Sequence, residues 1–152
     1  VQDGITAALV ALGEAAGVNR SILVYGAISA AHVLGIALLV GPILLVNLRL
    51  AGLLAGLDAR AVLILRRAAA AGVVLSVVTG VLLLSTRPAE YFANPVMLVK
   101  LGLVALGIAH ALAFEWRYRQ RSVARAPVAA AVSGLIWLSA LALGRAIAFT
   151  GD

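Results

Sequence analysis

Four stretches of this chain stay apolar for about twenty residues at a time, a length that matches a membrane crossing. They cover residues 21–46, 68–84, 96–114 and 128–149, with only isolated polar residues inside them. In lipid the backbone must satisfy its own hydrogen bonds, which leaves helices and closed barrels. Barrel strands alternate apolar and polar residues, whereas these runs are continuous, so they are helices. Composition agrees: 64% of the 152 residues are hydrophobic and 12% are charged, against about 45–50% and about 25% in a soluble domain. The expected fold class is all-α membrane, a four-transmembrane-helix bundle over residues 21–152. Residues 1–20 carry Ile5, Leu9, Val10 and Leu12 at loosely helical spacing. They are expected to form a short amphipathic helix at the membrane interface. They lack a basic region ahead of an apolar run, so they do not read as a secretory signal.

The formal net charge is +6, and eight of the twelve basic residues fall in two segments between the runs. The first holds Arg49, Arg60, Arg66 and Arg67 with Asp58; the second holds Arg117, Arg119, Arg121 and Arg125 with Glu115. The middle loop has Arg87 and Glu90, with Tyr91 and Phe92 at interface level. Lys and Arg collect on the cytoplasmic side. The expectation is a bacterial inner (plasma) membrane protein with both termini on the periplasmic, outer side. Topology accounts for the positive charge, and no nucleic-acid partner is implied. The lipid bilayer is the partner that is.

Several chemistries are disfavoured. Cysteine is absent, so there is no disulfide framework and no thiolate site. One methionine and two histidines leave little for a soft-metal path. Asp58, Glu90 and Glu115 all sit in expected loops, which argues against a proton-coupled transporter, since those relays use buried acids. No nucleophile triad, phosphate-cradling loop or zinc spacing is present, so the chain does not read as an enzyme on its own.

Ionisable residues inside the spans are the functional pointers, because charge at membrane depth is costly. They are His32, Lys100, His110 and Arg145. At about 1.5 Å rise per residue, His32 lies roughly 16 Å below residue 21, and Ser76 and Thr79 roughly 16 and 12 Å below Arg87. Lys100 lies about 9 Å below Asn94 and Arg145 about 8 Å below Thr150, all in the outer half. His110 lies about 24 Å below Asn94, near the arginines, so a two-histidine clamp on one haem is disfavoured by about 8 Å of depth. Tyr25, Ser29 and His32 share one helix face. Ser29 is a candidate acceptor for the second ring nitrogen of a ligating His32. Alternatively His32 bonds across to Ser76 or Thr79 as interhelical glue. Lys100 is either a snorkelling anchor or a contact to an anion, and Arg145 either snorkels past Phe149 or forks onto a carboxylate. Nine glycines inside the four spans, from Gly26 to Gly144, suit close helix packing. Pro42 is expected to kink the first span, and Asn94-Pro95 to start the third.

The pattern His32-Val-Leu-Gly-Ile-Ala-Leu-Leu-Val-Gly-Pro-Ile-Leu-Leu-Val-Asn-Leu-Arg-Leu-Ala-Gly52 resembles the first core helix of a small uncharacterised family of bacterial four-helix membrane proteins. Val78-Thr79-Gly80, then Tyr91, Asn94 and Lys100, and the ending Gly144-Arg145-Ala-Ile-Ala-Phe149 extend the likeness over nearly the whole chain. More distantly, the order of His, Arg, Thr-Gly and Val-Lys-Leu is similar to copper-resistance D proteins and to HemJ-type protoporphyrinogen oxidases. The latter resemblance implies a b-type haem, with matching positions at His32, Arg49, Lys100 and His110. The chain lacks the extra histidines and methionines of a copper path, and no tryptophan precedes Lys100.

Three readings follow. The first is one haem b in the outer half, for electron transfer or porphyrin handling. His32 would be its axial metal ligand, with Ser29 and Thr79 around it and Lys100 or Arg145 at the propionates or the second axial face. The second is a cofactor-free accessory subunit or assembly factor that contacts partner membrane subunits or further copies of itself. The third is transport of a small solute or metal.

Overall fold

The computed structural model describes residues 2–118 and 125–147. Arg119 and Arg121 of the second arginine segment, and Phe149 and Thr150 at the end of the fourth run, lie outside the described residues. Six helices and no strand occur among the described residues: α1 (Gln2–Ala15), α2 (Ile22–Ala51), α3 (Ala59–Leu84), α4 (Pro88–Ala93), α5 (Pro95–Tyr118) and α6 (Pro127–Ala146). Four of them, α2, α3, α5 and α6, are long and apolar enough to cross a membrane. The protein is an all-α, membrane-spanning helical bundle with two shorter helices.

The helices outrun the apolar stretches at the arginine-rich end. Arg49 lies on α2, Arg60, Arg66 and Arg67 on α3, and Glu115 and Arg117 on α5. The connection between α2 and α3 shrinks to residues 52–58, and Glu115 moves from an expected loop onto a helix. The physical reason is that a helix satisfies its backbone in water as well as in lipid, so the apolar run marks only the part facing hydrocarbon. The middle loop is likewise partly helical, with Pro88 buried at the first position of α4, where a missing N–H costs nothing.

Caps set the helix ends. Ser21 Oγ accepts from Val24 N–H at 3.4 Å at the start of α2, and Asp58 Oδ1 accepts from Ala61 N–H at 2.7 Å at the start of α3. Both are N-cap bonds to the third helical residue. Gly17 (φ 68°) ends α1 and Gly52 (φ 89°) ends α2. In each case the following N–H reaches five residues back, Val18 to Gly13 O at 3.1 Å and Leu53 to Leu48 O at 2.9 Å. This left-handed ending satisfies the last carbonyls and favours glycine. At the end of α3, Ser85 and Thr86 hydroxyls donate to Leu82 O and Leu83 O at 2.6 and 2.7 Å. α2 continues through Pro42.

The chain forms two compact units, Val1–Leu39 with Ala70–Asn94, and Val40–Ala69 with Pro95–Asp152. In the first, α1 packs on α4, and Gly13 lies against the fully buried Ser85, so close that a Cβ there would sit 2.7 Å from Ser85 Oγ. α1 leaves Ile5, Val10 and Leu12 exposed. The first part of α2, up to Leu39, lies antiparallel to α3, with Gly35 against Ser76 and Gly72 against Leu38 and Leu39. A Cβ on Gly72 would stand 2.7 Å from Leu38 C and 2.8 Å from Gly35 O, so here backbone meets backbone.

In the second unit α5 and α6 run antiparallel. Trp137, 4% exposed, lays its ring against Gly107, where a Cβ would meet Cζ2 at 2.8 Å. Val46, Leu50, Val62 and Ala130 form an apolar core bordered by Leu57, Leu65 and Phe114. Within it, buried Asn47 donates to buried Ser133 Oγ at 3.2 Å. Arg49 Nε donates to Leu57 O at 2.8 Å, and Ala126 N–H bonds Leu50 O at 3.0 Å, tying the arginine-rich connections together. Arg66 pairs with Glu115 and lies over the Phe114 ring, 5.8 Å from its centroid. Large side chains such as Ile22, Leu112 and Leu135 stay exposed, as expected where lipid is the solvent.

Candidate functional site

His32 sits on α2 and faces the Thr79-Gly80 step of α3. Its Nδ1 lies 3.0 Å from Thr79 Oγ1. Thr79 is buried and its hydroxyl donates to Leu75 O at 2.6 Å. A hydroxyl has a single hydrogen. With that hydrogen committed to Leu75, Thr79 accepts from His32, so the proton sits on Nδ1. In the neutral ring Nε2 then carries the lone pair. Nδ1 thus bonds Thr79 of the neighbouring helix; Ser29, one turn back on α2, is half-buried.

Gly80 makes room for the ring. A Cβ there would meet His32 Cε1 at 3.1 Å and Nδ1 at 3.6 Å, with no other atom within 4 Å. Nε2 therefore lies beyond that distance from the Gly80 position. One turn along α3, Ser76 Oγ is buried against Gly35 with no hydrogen-bond partner among the described residues. The local sequence explains the arrangement. Gly72, Ser76 and Gly80 repeat at four-residue spacing on α3, so one face carries almost no side chain and α2 approaches closely.

The remaining candidates belong to the second unit. Lys100 on α5 is half-buried and lays its stem over Gly144 of α6. A Cβ on Gly144 would stand 3.3 Å from Nζ and 3.4 Å from Cε. Arg145, the next residue, is exposed. His110 is half-buried on α5, about 15 Å along the helix from Lys100. The structure thus brings His32 to Thr79, and Lys100 to Gly144 beside Arg145. His32 and Lys100 belong to different units. Among the described residues, no three His, Cys, Asp or Glu side chains gather where they would hold a metal ion.

Sequence reasoning passed over the Asn47–Ser133 bond and the Arg66–Glu115 pair. The first left a signal, a lone amide in an apolar helix; the second left opposite charges at the ends of two spans. Comparison of the chain with protein-family models, with curated proteins and with solved structures finds no match.

Proposed function

We propose that this multi-pass α-helical membrane protein binds one b-type haem, with His32 as an axial ligand, for electron transfer or porphyrin handling. The observation that carries the reading is the oriented imidazole. A ligating histidine commonly donates its other ring N–H to a fixed acceptor, which sets the tautomer and raises the basicity of the ligating nitrogen. Thr79 provides that acceptor for Nδ1. The donor set suits a macrocycle, which brings four nitrogens of its own and asks the protein for one or two axial ligands. A bare zinc ion would need three or four protein ligands together. When bound, haem supplies one-electron chemistry, and its potential is tuned by the axial ligand and its hydrogen bonds. The chain's own residues orient the imidazole and clear space for its edge at Gly80. The resemblance to the HemJ-type oxidases belongs to the same proposal. So does placement in a bacterial inner membrane, with the arginine-rich end cytoplasmic and both termini outward.

An absorption spectrum of the full chain, purified from cells supplied with haem precursor, tests this. A reducible Soret band that His32→Ala abolishes is the expected result. A colourless wild-type protein overturns the reading.

A second reading, an accessory subunit or assembly factor, draws on a different observation. Gly26, Gly41 and Gly102 lie on spanning helices, and a Cβ at any of them would meet nothing within 4 Å. Such open small-residue positions suit a further helix packed from outside. Partner membrane proteins that co-purify in fixed proportion with a colourless chain support this reading.

A further inference from the structure

Lys100 places an ionisable amine inside a membrane-spanning helix, and among the described residues no carboxylate pairs with it. The acids of its own unit are placed elsewhere: Asp58 caps α3, Glu115 pairs with Arg66, and Asp152 lies outside the described residues. A cation at such depth needs an anion or water to meet it. Its position indicates which. Lys100 is about 8 Å along the axis from the Pro95 start of α5, and a lysine stem of about 6 Å reaches back to headgroup level.

The stem is not loose in lipid. It lies on Gly144, where the absence of a side chain leaves a notch that a Cβ would close against Cε at 3.4 Å. Exposed Arg145 adds a second cation on the next residue. Around them Leu98, Val99 and Leu141 are exposed, an apolar surface suited to acyl chains. A ligand that meets all of these is anionic at one end and aliphatic below.

We propose that the Lys100–Gly144 notch, with Arg145 beside it, is a binding site for the phosphate of an anionic phospholipid. It goes beyond the haem reading and uses none of the residues at His32. The shared chemistry is an oxyanion, which a lipid headgroup, free phosphate or a haem propionate can each supply. The acyl-facing surface selects the lipid.

The test uses the full chain, delipidated in neutral detergent, with dioleoyl phosphatidylglycerol, dioleoyl phosphatidylcholine and inorganic phosphate as probes. Bound lipid is read by native mass spectrometry. Lys100→Gln is expected to weaken phosphatidylglycerol binding about fivefold, the worth of one cation at an anionic headgroup. Lys100→Arg is expected to retain binding. Gly144→Leu keeps every charge but displaces the stem, and is expected to match Lys100→Gln; it also serves if the latter fails to fold by helicity and elution profile. His32→Ala, which lacks the proposed haem ligand, is expected to bind phosphatidylglycerol as the wild type does. A rise in phosphatidylglycerol binding in His32→Ala would mean that a haem propionate had held the notch, and overturns the proposal. Equal phosphatidylglycerol binding by wild type, Lys100→Gln and Gly144→Leu overturns it as well. Inorganic phosphate bound as tightly as the lipid overturns the lipid assignment.

Discussion

Thr79 is the hinge of the His32 geometry, because its single hydrogen determines which ring nitrogen holds the proton. Thr79→Val keeps the shape and removes the acceptor. It is expected to cost about 1 kcal/mol, the usual worth of an interhelical hydrogen bond in lipid, measured by unfolding in mixed micelles. If haem is bound, the same variant is expected to shift its reduction potential, whereas Thr79→Ser restores both. A double-mutant cycle with His32→Ala isolates the pair. Gly107→Val drives a branched side chain into Trp137, whose ring already stands 2.8 Å from where a Cβ would be. A loss of about 1–3 kcal/mol is expected from such overpacking, with altered tryptophan fluorescence as the readout. Helical rise alone put His32, Ser76 and Thr79 in the same half of the membrane, because along a straight helix depth is nearly a matter of counting. Azimuth is not. Counting did not show that Thr79 faces Nδ1, or that Gly107 receives Trp137, because both depend on how each helix is rotated about its axis.

The helix pair α2–α3 shows the same division between what composition carries and what packing decides. Apolar length identified both helices, yet their ends were set by Ser21, Asp58 and Gly52 rather than by where hydrophobicity falls off. Nothing in the hydropathy of α3 separates Gly72 from an ordinary flexible position. The structure shows backbone on its open side, Leu38 C and Gly35 O at 2.7 and 2.8 Å from a would-be Cβ, and backbone cannot swing aside. Gly72→Ala is therefore expected to destabilise by about 1–3 kcal/mol. Gly102→Ala, where a Cβ meets nothing within 4 Å, is expected to be neutral or to gain up to about 1 kcal/mol from helix propensity. Unfolding of both variants in the same micelle decides whether contact or propensity governs each site.

Across the full chain, the arginine segments set the expected orientation. With no cysteine in the sequence, Ala89→Cys introduces a single thiol at an exposed position of α4. Labelling of intact spheroplasts by a membrane-impermeant maleimide is expected; labelling only after lysis would reverse the topology. Arg66 and Glu115 also change how the arginine-rich end is counted. One of its positive charges is already paired, and Arg49 is committed to Leu57 O, so some arginines there hold helices as well as orient them. The backbone contact between α2 and α3 bears, finally, on biogenesis. The two helices are consecutive in the chain, joined through residues 52–58, and at Gly35 and Gly72 the nearest atoms of one come from the other. The hairpin can therefore close while the ribosome is still synthesising α5, so that the pair enters the bilayer preassembled.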